Sequence, residues 1–207
     1  MAKQAERREA TRGAIIRAAT VLFGRDGFAE TTVDQLAEKA GVAKGAVYHH
    51  FATKEALFEA VFEAVSQEVS AKVAQAARKA PDLIASISLG TKAYFRICSE
   101  GATGRIILGD GPAVLGWQKW REIDSRHFGA VFPAILKAAV DQGLIEDQPI
   151  EPMANLLLGA VTEAAVACAN SKTPAVTGQN YAEAFERLLS GLRRRDDTMD
   201  KKSSRKK

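Results

Sequence analysis

A chain of 207 residues, 46% hydrophobic and 26% charged, has the length to bury a core and the composition of an ordinary globular protein. Its net charge of +4 is uneven: residues 1–54 hold nine Lys/Arg against six Asp/Glu, residues 193–207 hold eight against three, and the remainder holds 12 against 16, so a polyanion is drawn to the ends. Two distant cysteines suit reduced thiols better than a disulfide framework, the charged first dozen residues lack a signal core, and the apolar stretch Leu156 to Ala169 is interrupted by Thr162 and Glu163, short of a spanning helix; a cytoplasmic protein with no membrane partner is expected.

The first helix is expected over residues 11–24, with Ile15, Ile16, Ala19, Leu22 and Phe23 on one face and Gly24 and Gly27 at its end. In the second, Val33, Leu36, Ala37 and Ala40 fall three and four apart, and Thr32 followed three positions on by Gln35 is a capping-box pattern. Gly41 stands where a left-handed residue ends that helix, and Val42 folds back as its hydrophobic contact. A third helix of about two turns, Lys44 to His50, buries Val47 and Phe51 and leaves Lys44, Gly45, Ala46, Tyr48 and His49 on or near its outer side. Two short amphipathic segments joined by so tight a glycine turn form a helix-turn-helix signature over Thr32 to Phe51. That points to double-stranded DNA.

The outer residues suit a duplex. Gly45 and Ala46 are small enough for close approach to bases or sugar, and Lys44, Tyr48 and Lys54 donate to phosphates. Thr32, at a helix start, adds its hydroxyl and nearby backbone amides. His49 is the best base reader and Lys44 the next, so direct readout is sparse and groove shape or the arm before Thr11 supplies the rest. The alternative for His49 and His50 is partial burial as packing residues, and for Tyr48 packing on the preceding helix.

FGRDGF (Phe23 to Phe28), TTVDQLAEKAGVAKGAVYHHF (Thr31 to Phe51) and TKEALF (Thr53 to Phe58) together resemble the amino-terminal domain of the TetR (tetracycline-repressor) family of bacterial transcriptional regulators. The likeness runs from Glu9 to Val69. It implies an all-α homodimer, with a helix-turn-helix DNA-binding domain over 9–69 and a larger helical effector-binding and dimerisation domain over 81–195. It also implies a repressor that binds a palindromic operator and is released by a small molecule. By position, the family's DNA contacts fall on Thr32, Lys44, Gly45, Ala46, Tyr48, His49 and Lys54. Ala43 departs from the pattern: many members carry a capping serine there, and alanine forfeits about 1 kcal/mol.

The fourth helix starts after Thr53, carries Leu57, Phe58, Val61, Phe62 and Val65 at helical spacing, and runs to about Lys79 before Pro81. It is the natural lever between the reading head and the rest. Asp82 to Ser99 is helical again; glycines 101, 104, 109 and 111 are expected to break the chain around Arg105 to Leu108, and Pro112 begins a short element. From Trp117 to Gln142 the pattern is helical, with a kink or boundary at Gly129 and Pro133. Trp117 and Trp120, with Phe95, Ile97, Ile106, Leu108 and Phe128, are candidates to line a pocket for a hydrophobic or aromatic effector; the alternative is that they fill the core. Arg96, Arg105 and Arg121 are offered as partners for an anionic group on such a ligand.

The last two helices, expected over Glu151 to Asn170 and Gln179 to Arg194, resemble the family's dimerisation pair. Leu156, Gly159, Ala160, Ala164 and Ala167 on one, and Phe185, Leu188 and Leu189 on the other, are the expected interface. The basic tail, 196–207, lacks apolar periodicity and is expected to be disordered. An enzyme is the alternative from another class, but His49, His50 and His127 with two distant cysteines make no metal-ligand spacing, and no nucleophile-elbow or phosphate-loop motif occurs. No catalytic residue, metal or cofactor is therefore expected. A third alternative keeps DNA binding and replaces the small effector with a protein partner.

Overall fold

Helices account for nearly all of the described chain, which in this computed structural model comprises residues 2–99 and 101–194. The basic tail expected over 196–207 lies outside the described residues. Helix α1 spans Ala2–Asp26, nine residues longer at its start than expected, because Gln4 to Ala10 are good helix formers with neither glycine nor proline to stop the ladder. The segment before Thr11 is thus an exposed helical extension and not an extended arm. Helices α2 (Val33–Ala40), α3 (Lys44–His50) and α4 (Lys54–Ala77) follow, α4 capped by the Thr53 hydroxyl accepting the Ala56 N–H at 3.0 Å.

Ile15, Ala19, Leu22 and Phe23 of α1 meet Leu36, Val47, Phe51 and Phe58 in a dry core. The rings of Phe23 and Phe28 each pack on Phe58, with centroids 5.4 and 5.3 Å away. The core continues without a break along α4, through Phe62, Val65 and Val69, into the second half of the chain.

There α5 (Leu83–Ser99) is the central helix, packed on α4, and on α9 (Val131–Asp141), α10 (Ile150–Ala169) and α11 (Pro174–Ser190). The glycines after residue 100 do not break the chain. They sit in one helical run made of α6 (Gly101–Gly104), a π-helical stretch (Arg105–Asp110) and α7 (Gly111–Leu115). Close packing explains Gly111: a Cβ there would lie 2.8 Å from the Phe62 ring and 2.9 Å from the Ile106 carbonyl oxygen. Helix α8 (Trp117–Phe128) ends at Gly129, whereas Pro133 sits in the first turn of α9, where a missing N–H costs nothing, so the boundary is real and the kink absent.

Helix α11 begins five residues before the expected Gln179 because Pro174 suits a helix start. Among the described residues no strand forms, and a single bridge between Ile145 and Arg193 ties the residues after α11 to the α9–α10 loop. Helix α10, by length and composition, is long and apolar enough to cross a membrane, so Thr162 and Glu163 do not cut it short as expected. Here it turns Leu157, Val161, Ala164 and Ala165 into the core against α5, α9 and α11. Both cysteines are buried thiols, and desolvation pushes Cys98 up to about 12, which keeps it in the thiol form at neutral pH.

Candidate DNA-binding face and effector cavity

Short-range polar bonds fix the angle between α2 and α3. The Thr32 Oγ1 accepts the Gln35 N–H at 3.3 Å and the Gln35 Oε1 accepts the Thr32 N–H at 2.8 Å, closing the capping box. At the other end Gly41 is left-handed (φ 69°), its N–H bonds the Glu38 carbonyl at 3.1 Å, and the Val42 N–H bonds the Ala37 carbonyl at 3.0 Å. No atom outside its chain neighbours comes within 4 Å of where a Gly41 Cβ would stand, so its backbone conformation, not crowding, requires glycine. Ala43 enters α3 extended and uncapped, as its side chain dictates.

Only Val47 of α3 is buried. Lys44, Gly45, Tyr48 and His49 are exposed, Ala46 is half-buried, and an added Cβ at Gly45 would meet nothing within 4 Å. Thr32 stands exposed at the start of α2. Tyr48 keeps 48% of its surface exposed. The Lys44 Nζ lies 3.0 Å from the Asp34 Oδ2, and that carboxylate's hydrogen bond and charge raise the lysine's pKa. Both groups are exposed, so the pair exchanges readily for a phosphate. His50 is half-buried, and its pKa is lowered by that burial and by the neighbouring His49, Arg8 and Arg12.

Lys54 behaves differently from the expected phosphate donor. Its Nζ donates to the Phe28 carbonyl at 2.8 Å and the Thr31 carbonyl at 3.0 Å, and lies 4.2 Å from the centre of the Phe28 ring. The α1–α2 loop leaves these carbonyls without helical partners, and the lysine is committed to satisfying them. It braces the head from within, with one N–H remaining.

Long-range polar contacts join the head to the body. The Phe28 N–H donates to the Asp110 Oδ2 at 2.8 Å, and the Arg105 guanidinium donates to the Arg25 carbonyl. Arg105 therefore grips the end of α1 and is not turned to a ligand. Helix α8 is tied to α4 by Arg126–Glu63 (2.9 Å), His127–Glu63 (2.8 Å) and Lys119–Glu59 (3.2 Å). Sequence reasoning missed Asp110, because its partner is 82 residues away.

A cavity of about 100 Å³ opens between α4, α5, α8, α9 and α10. Of the residues expected to line a pocket, Phe128 does so. Phe95 borders a separate groove between α5 and α11. Ile97, Ile106 and Leu108 are core. Trp120 is fully buried, donating its indole N–H to the Ile107 carbonyl at 2.8 Å, while Trp117 is 60% exposed and stacks on it from outside at 5.1 Å. The physical reason is that α8 presents one narrow stripe inward, Trp120, Ile123 and Asp124, and Trp117 falls at its edge. Asp124, which also lines the cavity, is the functional candidate missed in the sequence; an acid within an apolar stripe was the available signal.

The proposed interface residues divide. Leu156 (69% exposed), Ala160 and Leu188 (48%) face outward, with Gly159 and Ala167 half-buried beside them. Ala164, Phe185 and Leu189 point the other way, into the chain's own core between α5, α10 and α11, and are not available to a second copy. Tyr181 and Ala184 fall two turns and one turn before Leu188 and extend the exposed stripe of α11.

Comparison with known proteins bears on both halves. Residues 15–61 match the family described as bacterial regulatory proteins, tetR family, and residues 84–192 match the tetracyclin repressor-like C-terminal domain. The chain is 49% identical over 43 residues to the uncharacterized HTH-type transcriptional regulator YerO of Bacillus subtilis, a match spanning 21% of this chain and only 15% of that relative. It is 22% identical over 190 residues to the transposon Tn10 TetC protein of Escherichia coli, covering 92% of this chain and 96% of the other. A crystal structure of a TetR-family transcriptional regulator from Pectobacterium atrosepticum superposes with a TM-score of 0.81 at 27% identity, covering 92% of this chain and 97% of that one.

Proposed function

The chain belongs to the TetR family of DNA-binding transcriptional regulators, which are not enzymes, and from that premise we propose that it is a repressor: a cytoplasmic homodimer that binds a palindromic operator and leaves it when a small hydrophobic molecule enters the body. The observation that carries the reading is the outward face of α3, where Lys44, Gly45, Ala46, Tyr48 and His49 stand on a helix locked to α2 by a capping box and a left-handed glycine. Thr32 adds a helix N-terminus for a phosphate, and Lys54 acts mainly by holding the head's shape.

We take residues 9–69 as the DNA-binding domain and 81–195 as the effector and dimerisation domain, with α4 as the lever between them. Dimerisation through the exposed stripes of α10 and α11, centred on Leu156, Ala160 and Leu188, would set two reading heads at a fixed spacing on symmetric half-sites. A ligand between α4 and α8 acts on the bonds that hold α8 to α4, and through Asp110 and Arg105 on the end of α1. Whatever factor the ligand takes from operator affinity, the operator takes from ligand affinity.

The test is selection of genomic fragments by the purified protein, then footprinting of the winner at two salt concentrations. Recovery of a short palindrome protected symmetrically is the expected result. A site without internal symmetry would overturn the dimeric reading, and salt-sensitive binding with no shared sequence would leave only electrostatic attraction.

A further inference from the structure

The cavity between α4 and α8 is walled mostly by apolar side chains, yet a carboxylate faces it. Asp124 is 8% exposed, lies on the inward stripe of α8, and lines the cavity alongside Tyr94, Phe128 and Phe132. Among the described residues it makes no hydrogen bond or ion pair; its titratable neighbours are Arg121 and His127. Neither is aligned on it. The His127 Nε2 is held by Glu63 at 2.8 Å, and the Arg121 guanidinium leans over the Trp117 ring at 5.9 Å. Burial pushes the Asp124 carboxyl up to about 6, so at neutral pH it is mainly ionised and still short of a partner.

Among the described residues no side-chain oxygen is both sealed from solvent and without a partner, so the Asp124 carboxylate is reached by water through the cavity; so desolvated a carboxylate is still costly, and a ligand that supplies a cation and donors recovers part of that cost. An anionic ligand would meet the charge head-on. Aromatic faces also favour a cation, and Tyr94 and Phe128 meet edge-to-face at 5.6 Å beside the carboxylate. Size restricts the rest: the cavity, about 100 Å³, is smaller than the roughly 150 Å³ that takes one benzene ring, but it opens on one side, so no more than a single ring fits and part of that ring stays at the mouth.

We propose that this cavity binds a small organic cation, a protonated amine carried on a single apolar ring, with the ammonium against Asp124 and the ring against Phe128 and Phe132. The proposal rests on the effector reading above and gives it a chemical class.

The experiment titrates the full-length protein with three matched probes, benzylamine, benzyl alcohol and benzoate, by calorimetry at pH 7.5, and follows operator affinity in parallel by fluorescence anisotropy. Benzylamine is expected to bind roughly tenfold tighter than benzyl alcohol, to exceed benzoate by more, and to weaken operator binding. In Asp124→Asn the preference for the amine disappears while the affinity for benzyl alcohol stays the same. Equal binding of amine and alcohol by the unaltered protein, which needs no variant, would overturn the proposal, as would an amine preference that survives Asp124→Asn. The two readings fail separately: if benzyl alcohol binds and lowers operator affinity as well as the amine does, the class falls and the effector site stands. If no probe binds and operator affinity is indifferent to all three, both fall.

Discussion

The reading head and the body are built from similar helices but dispose of their polar groups in opposite ways. In the head, Ile15, Phe23, Leu36, Val47 and Phe58 close a core beside which the buried Thr31 is satisfied locally by the Gly27 carbonyl at 2.8 Å; Thr32, Lys44, Tyr48 and His49 all face out. The body buries Thr91 and Asp124 beside a cavity, while the buried Ser88 bonds Glu186 of α11 at 3.1 Å. A surface that must match a rigid duplex gains from a dry, close-packed support. An interior that admits a ligand, as proposed above, keeps space at a cost in stability.

That contrast is open to measurement. The largest effect is expected in the head's core: Phe58→Ala should cost about 3–5 kcal/mol in urea denaturation, whereas Phe128→Ala, which only widens an existing cavity, should cost about 1–2 kcal/mol. Equal losses would erase the distinction. Next, Gly45→Glu places a carboxylate where an added side chain meets open space, so the melting temperature should hold while operator affinity drops roughly 100-fold, or about 3 kcal/mol. Operator binding that survives it would move the reading face elsewhere.

In the body, the folded pKa of Asp124 (about 6) lies above its ordinary value of 3.8, so the native state holds a proton that the unfolded chain releases. The associated stability is present below the ordinary value and is lost as pH rises through about 6. Asp124→Asn should therefore gain stability over the unaltered protein as pH rises from 4 to 7.5, by on the order of 2–3 kcal/mol at the top. A difference that does not vary with pH would show that the carboxylate is already compensated. Smallest is the missing cap: Ala43→Ser should add about 0.5–1 kcal/mol, read as slower amide exchange confined to α3.

Legibility followed the range of the interactions. The capping box at Thr32, the left-handed turn at Gly41 and the span Lys44 to His50 could be read in the sequence because each depends on residues within a few positions of one another. The pocket could not be read that way. Trp117 and Trp120 look equivalent along the chain, but one is exposed and the other fully buried, because α4 and α7 close over a single stripe of α8. Lys54 resembles a phosphate donor until the carbonyls of Phe28 and Thr31 are brought to it, and Phe185 resembles an interface residue until α5 and α10 take that face.

The sequence by itself determined the all-helical class, the helix-turn-helix and which residues of α3 stand outward, since periodicity, caps and turn glycines are local properties of the chain. Only the tertiary structure decided which aromatics enclose space, which polar groups the body buries, and how Asp110 and Arg105 grip the head. Those depend on which helix faces meet, and contacts between residues 82 positions apart leave no periodic trace along the chain.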